Sequence, residues 1–373
     1  MMKIALIAAH APSLSSFRGE LIRRLCSARC AVLALAGPTD SEVSTAISDM
    51  GCKFIAYPVQ RNGLSPLADS RTLLSLWKLL RQHKPDVVLA YTIKPVIWGG
   101  LALWFVRKPR FFALITGLGY AFQPAKGRGM VTFMASWLYR LSLLRAEKVI
   151  FQNEDNLNEF VNRRIVPSHK CERVFGSGVD LSHYAMRPLT AGAPVFLGIG
   201  RLLGDKGLRE FAQAAEIVKA KYPSARLQWL GGVDPSPDGI ALADVQTWQE
   251  LGILEYLGET RDVRAYLAAC HVFVLPSYHE GLPRSTLEAM AMGRPVLTTD
   301  VPGCRDTVNQ NVNGFLVPRA DAEALAERII WFIEHPECWQ TMGEASRRIA
   351  EERFDVHKVN DEMLKIIGLT TNA

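Results

Sequence analysis

Short apolar runs and amphipathic stretches take turns along the whole chain. In the first half the continuous apolar runs predict strands over 3–9, 31–36, 53–57, 86–91, 111–116 and 147–152. Between them apolar positions recur at helical spacing, as in 17–28 and 71–82. The second half starts the pattern afresh, with strands predicted over 194–200, 226–230, 254–257, 271–275 and 294–298 and helices over 320–334 and 337–351. Strands that are apolar on both faces and alternate with helices mean parallel sheets covered on both sides. The Gly-, Ser- and Pro-rich stretch 176–194 reads as a linker. The pattern predicts an α/β chain of two doubly wound domains, with ligands expected between the carboxyl ends of their strands.

Composition narrows the class. With 373 residues, 49% hydrophobic and 21% charged, the chain can bury two cores and is neither disordered nor fibrous. Seven scattered cysteines, without a C-x-x-C pair or a histidine cluster, suggest neither a disulfide framework nor a zinc site, so a reducing cytoplasm is the expected setting. Residues 1–185 carry 24 Lys/Arg against 12 Asp/Glu, whereas the remainder is mildly acidic. A basic half points to phosphate-bearing partners: nucleic acid, anionic lipid or a diphosphate substrate. The opening Met1–Ala11 has the look of a weak export signal, but its apolar run equally fits a buried first strand, which the cysteines favour. No uncharged run reaches the roughly 18 residues of a spanning helix.

The sharpest chemical signal is Glu280-Gly281-Leu282-Pro283-Arg284-Ser285-Thr286-Leu287-Glu288, which follows the strand predicted at 271–275. Pro283 suits the start of a helix, and Gly293 with Pro295 ends it. Glu280 is then expected in the loop and Glu288 two turns inside the helix, roughly 10 Å apart along its axis. That is far for a carboxylate pair flanking one glycosidic bond. It fits two ends of an elongated ligand, with an anion at the helix N-terminus between them. A surface loop with two unrelated acids is the plain alternative.

Together with Leu287-Glu288-Ala289-Met290-Ala291 and Gly293-Arg294-Pro295-Val296, this block resembles the signature of the retaining GT-B glycosyltransferases of glycosyltransferase family 4. Gly198-Ile199-Gly200-Arg201-Leu202-Leu203-Gly204-Asp205-Lys206-Gly207 resembles the family's strand–turn–helix bearing an Arg and a Lys. Val179-Asp180, Gly258–Val263, Val301-Pro302-Gly303 and a hairpin at 313–317 extend the likeness to roughly residues 1–355. The resemblance implies the GT-B fold: an acceptor domain over 1–180, joined by a C-terminal helix 356–373, and a nucleotide-sugar domain over 181–355. Arg201 and Lys206 should hold the diphosphate, where fixed cations stabilise a departing anion without reorganisation. Glu280 should meet the donor sugar and Glu288 the ribose. Gly200, Gly281, Leu282, Pro283, Arg284 and Glu259 should complete the donor pocket. No D-x-D motif occurs, so no metal is implied, nor any cofactor besides the nucleotide diphosphate sugar as co-substrate, with a uridine donor favoured.

For the first domain the resemblance implies an acceptor that is a glycan or a lipid-linked saccharide of bacterial envelope assembly. Ser16, Phe17, Arg18 and Gly19 are expected in an anion-binding turn opening the first helix, the plain alternative being Ser16 as an N-cap. Lys94 ends one predicted strand, and Thr116 with Gly117 the next. Relatives often carry a histidine near this point. Its absence leaves no evident general base and favours front-face retention, in which the departing phosphate takes the acceptor proton. Met130, Phe133, Met134, Trp137, Leu138, Leu141 and Leu144 form a helical stripe, read as core in preference to a membrane-facing surface. Arg107-Lys108-Pro109-Arg110 offers a basic lip for an anionic membrane surface.

Two other classes compete. A nucleotide-sugar epimerase of this fold lacks, by family resemblance, the pairing of the Arg/Lys block with this glutamate loop. A phosphorylase would need a pyridoxal phosphate lysine and a much longer chain. A nucleic-acid binder would interleave its cations with exposed aromatics, and no such motif occurs.

Overall fold

The computed structural model describes residues 1–60, 63, 65–118, 122 and 129–369. The chain divides into two compact units, Met1–Ser177 with His357–Ala373, and Gly178–Val356.

In the first unit the chain runs β1 (Lys3–Ile7), α1 (Pro12–Ser27), β2 (Ala31–Ala36), α2 (Ser41–Ser48), β3 (Lys53–Ala56), α3 (Pro66–His83), β4 (Val87–Tyr91), α4 (Ile93–Ala102), β5 (Arg110–Ile115), α5 (Gly129–Leu143), β6 (Ala146–Phe151), α6 (Glu154–Asn162) and β7 (Cys171–Arg173). All seven strands are parallel, in the order 3-2-1-4-5-6-7. The period of two along β1 sorts its side chains cleanly. Ile4 and Leu6 join the core under α1 and α2, and Ala5 and Ile7 the core under α3 and α4.

The second unit repeats the plan with β8 (Val195–Ile199), α7 (Leu208–Lys221), β9 (Arg226–Leu230), α8 (Leu242–Glu250), β10 (Glu255–Tyr256), α9 (Arg264–Ala269), β11 (Val272–Leu275), α10 (Arg284–Ala291), β12 (Val296–Thr299), β13 (Gly314–Val317), α11 (Ala322–Glu334) and α12 (Cys338–Ile349). Its six parallel strands run 10-9-8-11-12-13. The last helix, α13 (Val356–Ile366), and the turn after it send Met363, Leu364 and Ile367 into the core of the first unit. In each sheet the strand order reverses beside the first strand, between β1 and β4 and between β8 and β11. The loops at the carboxyl ends of those strands part there and leave room for a ligand.

Four expectations need correction. Helix α1 begins at Pro12, whose missing N–H is no loss at the first helical position, and not at Phe17. Ser16 is therefore an interior residue whose hydroxyl donates to Pro12 O at 2.8 Å, neither an N-cap nor part of a turn. Glu288 lies one turn into α10, because Pro283 is the N-cap and Arg284 the first helical residue. Residues 313–317 form no hairpin. Asn311, at φ 64, closes a tight turn and β13 then pairs in parallel with β12. Finally, the α5 stripe is not core: Met130, Phe133, Met134, Trp137 and Leu144 are exposed, and Tyr139, Ser142 and Leu143 face inward. Lys126, Arg128 and most of 119–128 lie outside the described residues.

Candidate active site

In the second unit, the chemistry gathers at the switch point between β8 and β11. Strand β8 can approach β9 closely only because residue 198 is glycine: a Cβ there would stand 2.4 Å from the fully buried Trp229 ring. Trp229 Nε1 in turn donates to Gly200 O at 2.9 Å and fixes the strand's exit. A single 3₁₀ turn, Gly204–Lys206, then leads to Gly207 at φ 71, which opens α7. Gly207 lies so close to the β11 loop that a Cβ would meet Pro276 O at 2.0 Å. The Tyr278 amide donates to Asp205 O at 2.8 Å across the same seam. These contacts bring Lys206 to Glu280, and the two form an ion pair. The aliphatic stem of Lys206 packs over Gly200.

Glu280 is held from three sides. Besides Lys206, Ser277 Oγ donates to its Oε1 at 2.8 Å, and its own amide donates to Pro302 O at 3.1 Å. The turn Val301-Pro302-Gly303 supports the loop from below, Gly303 at φ 79 lying where a Cβ would be 2.5 Å from Glu280 O. Arg201 is half exposed and pairs with Asp234, a buried carboxylate in the loop after β9. Asp234 is itself oriented by the Ser236 amide, at 2.9 Å. Each cation thus rests against a carboxylate supplied by a different loop.

Glu288 is the buried member of the set, with 7% exposure. Arg284, one turn earlier on α10, donates through Nε to Glu288 Oε1 at 2.8 Å, and the Tyr184 hydroxyl also bonds to it. Burial raises the Glu288 carboxyl above its ordinary value, opposed by Arg284 and Tyr184. Burial likewise lifts the Tyr184 phenol, and the Glu288 charge adds to the rise. Gly281, Leu282 and Pro283 form the span from Glu280 to the N-terminus of α10. Glu259, after β10, is exposed, and its carboxylate covers Gly232 in the loop after β9.

The first unit gathers fewer of the expected residues. Arg18 is buried, its guanidinium 5.4 Å from the Tyr91 ring centre at the end of β4. With its amide oxygen turned toward Arg18, Gln152 accepts from Arg18 Nη2 at 3.3 Å and donates to Thr116 O at 3.2 Å. Arg18 and Thr116 are thereby linked at the carboxyl edge of the sheet, next to Gly117. Ser13 Oγ lies 2.9 Å from the Tyr91 hydroxyl, which burial pushes up to about 12. Lys94 opens α4 and pairs with the buried Asp69 at 2.9 Å. The preceding Thr92 holds φ 68, an unfavourable region for a β-branched residue that is found where function over-determines the backbone. Ser16 and Phe17 point outward from α1. Gly19 faces the opposite way and packs close to Met50 Sδ.

Sequence reasoning missed Asp234, Ser277 and Tyr184 in the second unit and Ser13, Gln152 and Asp69 in the first. Asp234 carried a faint signal, since Asp234-Pro235-Ser236-Pro237-Asp238-Gly239 is a loop sequence at the carboxyl end of a predicted strand. Ser277 and Tyr184 are single polar residues in connecting segments, and the others single polar residues within or beside apolar or helical stretches.

Paired Rossmann-like units in one chain, with cations and carboxylates converging at a switch point, define the class as a GT-B glycosyltransferase. Residues 193–335 match the family model described as glycosyl transferases group 1, and residues 15–174 that described as glycosyl transferase 4-like domain. The chain belongs to this glycosyltransferase family. It is 30% identical over 350 residues to the N,N'-diacetylbacillosaminyl-diphospho-undecaprenol alpha-1,3-N-acetylgalactosaminyltransferase of Campylobacter jejuni, covering 89% of this chain and 90% of that protein. It is 26% identical to the UDP-Gal:alpha-D-GlcNAc-diphosphoundecaprenol alpha-1,3-galactosyltransferase of Escherichia coli, covering 73% of each. Among solved structures, Anabaena HepE in complex with UDP shares the fold at a TM-score of 0.77 with 18% identity, over 98% of this chain and 99% of that one.

Proposed function

We propose that the chain moves a sugar, with retention of anomeric configuration, from a UDP-sugar to a polyprenyl-diphosphate-linked saccharide or glycan in bacterial envelope polysaccharide synthesis. It acts from the cytoplasm at the inner face of the membrane and uses no resident cofactor. The observation that carries the reading is the Lys206–Glu280 ion pair joining the loops at the carboxyl ends of β8 and β11, with Arg201 on the β8 loop and Glu288 on the helix into which the β11 loop leads. Names of relatives that act on undecaprenol-diphosphate-linked saccharides support the acceptor class.

The donor's diphosphate takes the place of Asp234 and Glu280 as partner of Arg201 and Lys206. The cations then lie where negative charge grows as the glycosidic C–O bond breaks. Glu280, released from Lys206 but still held by Ser277, accepts from hydroxyls of the sugar. Glu288 accepts from the ribose. The leaving phosphate oxygen takes the acceptor's hydroxyl proton while the acceptor oxygen bonds to the anomeric carbon from the same face. No protein base is required. In the first unit Arg18, Thr116 and Lys94 border the acceptor.

A panel of UDP- and GDP-sugars with a short-chain lipid-linked acceptor tests the reading. Wild-type protein should transfer sugar from a UDP donor, and Lys206→Ala should lower turnover by roughly 10²-fold or more, the usual effect of removing one fixed stabiliser of developing charge. Wild-type turnover in Lys206→Ala at saturating donor would contradict the role given to this side chain. Epimerisation of the donor without any acceptor would contradict the transferase reading itself.

A further inference from the structure

Residues 180–184 open the second unit with a turn packed on α10, the helix that carries Glu288. Asp180 Oδ1 accepts from the amides of Ser182 and His183, both at 2.9 Å, and Asp180 O accepts from the Tyr184 amide at 2.9 Å. An aspartate that accepts from the amide two residues on closes such a turn by itself. Arg347 of α12 ties the turn to the carboxyl end of α10. Its Nη1 donates to Ala291 O at 2.7 Å, Tyr184 O at 3.2 Å and Leu181 O at 3.3 Å. The Arg187 amide adds a bond to Met292 O at 3.3 Å. The backbone of the turn is thus fixed against α10 by bonds in which the Tyr184 side chain has no part.

The phenol serves Glu288. Tyr184 is 8% exposed, and a hydroxyl buried to that degree needs a partner. Its oxygen accepts from the Arg284 guanidinium and its hydrogen goes to Glu288, so Arg284, Glu288 and Tyr184 close a ring. Burial and the Glu288 charge raise the phenol, which therefore keeps its proton and remains a donor. A phenyl ring would fill the same space, so packing does not require the hydroxyl. What the hydroxyl adds is a second donor to a carboxylate that burial pushes toward its neutral form. An ionised carboxylate offers about four acceptor positions. Arg284 and Tyr184 take two, and the remaining pair matches the adjacent 2′- and 3′-hydroxyls of a ribose.

We propose that Tyr184 is a positioning residue of the donor site: its hydroxyl holds the Glu288 carboxylate in the orientation that receives both ribose hydroxyls together, and so sets the preference for a ribonucleotide over its 2′-deoxy form. The inference rests on the ribose role given to Glu288 above.

Calorimetry with UDP and 2′-deoxy-UDP on wild type, Tyr184→Phe, Glu288→Gln and the double variant tests it. Tyr184→Phe should bind UDP about fivefold more weakly, the scale of one hydrogen bond, and should lose most of the preference over 2′-deoxy-UDP. In the Glu288→Gln background the same change should have little effect, because the hydroxyl acts through the carboxylate. With sugar transfer as the readout, the donor KM should rise by the same factor while kcat and the acceptor KM hold, since the ribose contact is alike in ground and transition states. The pH profile supplies a sign. Glu288 is faced by Arg284 on α10 and by Tyr184 and His183 on the turn, and Arg264 of α9 faces Tyr184. Without the phenol the carboxyl takes up its proton more readily, so the acid loss of UDP binding should move to higher pH in Tyr184→Phe and be missing from Glu288→Gln. The other groups are the same in every variant and cancel in the comparison. Unchanged UDP binding by Tyr184→Phe, with Glu288→Gln weakened, would overturn this proposal alone. Tighter binding would also overturn it, making the phenol a placeholder that the ribose displaces. Equal losses in both backgrounds would overturn it as well, leaving Tyr184 a packing residue. Undiminished UDP binding by Glu288→Gln would overturn the ribose reading and this proposal with it.

Discussion

Burying a charge is unfavourable unless its partners repay the lost hydration, and Glu288 shows the balance at a single residue. Burial lifts its carboxyl above the ordinary value despite Arg284 and Tyr184. Folding therefore favours the protonated form. Its contribution to stability is full below the ordinary carboxylate range and is lost as pH rises through the folded value. Above the folded value the ionised side chain is a burden on the ligand-free protein, tolerable if a ribose is its intended partner. Glu288→Gln is expected to raise the melting temperature at alkaline pH more than at acid pH, the gain shrinking as the wild-type carboxyl takes up its proton. The same variant should bind UDP about tenfold or more weakly, the scale of a hydrogen bond to a charged group. Thermal scans at the two pH values and calorimetry with UDP check both halves. A more stable variant with undiminished UDP affinity would remove Glu288 from the ribose site.

At the scale of elements, the seam between the β8 and β11 loops decides whether Lys206 meets Glu280. Gly207→Ala would force a methyl group against Pro276 O and impose a Cβ on a left-handed backbone, so the loops must part. A loss of about 2 kcal/mol or more is expected, read as a lower urea midpoint. Turnover should fall as well, because the loop that aims Lys206 is displaced. Elements of this kind were legible where one physical rule governs them. Parallel strands buried on both faces give unbroken apolar runs, and eleven of the thirteen strands among the described residues could be placed from those runs alone. The exceptions are instructive. Strand β13 opens on the Gly of Asn313-Gly314, a dipeptide typical of hairpins, but its hydrogen bonds go to β12 and are set by the sheet. Strand β7 is three half-buried residues, too short for a period to show. Helix α1 hides its start because Pro12-Ser13-Leu14-Ser15-Ser16 is rich in residues that also open turns. The stripe on α5 has helical spacing whether it faces a core or a solvent, and spacing alone cannot choose between them. The Arg201–Lys206 and Glu280–Glu288 blocks were legible as local motifs. Asp234 and Gln152 were not, since their roles exist only across strands distant in sequence.

For the whole molecule, each unit has its own sheet and its own buried clusters, so each should respond to its own ligand. UDP at about a hundred times its dissociation constant should add roughly 2.7 kcal/mol to the unit that binds it. Differential scanning calorimetry is expected to show the later residues, 178–356, shifting upward with UDP, and limited proteolysis with mass spectrometry identifies which unit is protected. Removing 357–373 should weaken the first unit alone, since Met363, Leu364 and Ile367 complete its core. Three such side chains contribute on the order of 5 kcal/mol together.

The boundary at Gly178 and Val356 carries a last consequence. The Val179 amide donates to Phe354 O at 2.8 Å and the Val356 amide to Val179 O at 3.0 Å, while Gly178 at φ 69 leaves no room for a Cβ beside Val356. The point where the chain enters the second unit is thus stitched to the point where it leaves. Such a segment is a cassette with its two ends tied in one knot of backbone. Ends that lie this close together are what domain exchange tolerates, so swapping 178–356 between relatives would need both splices at one spot.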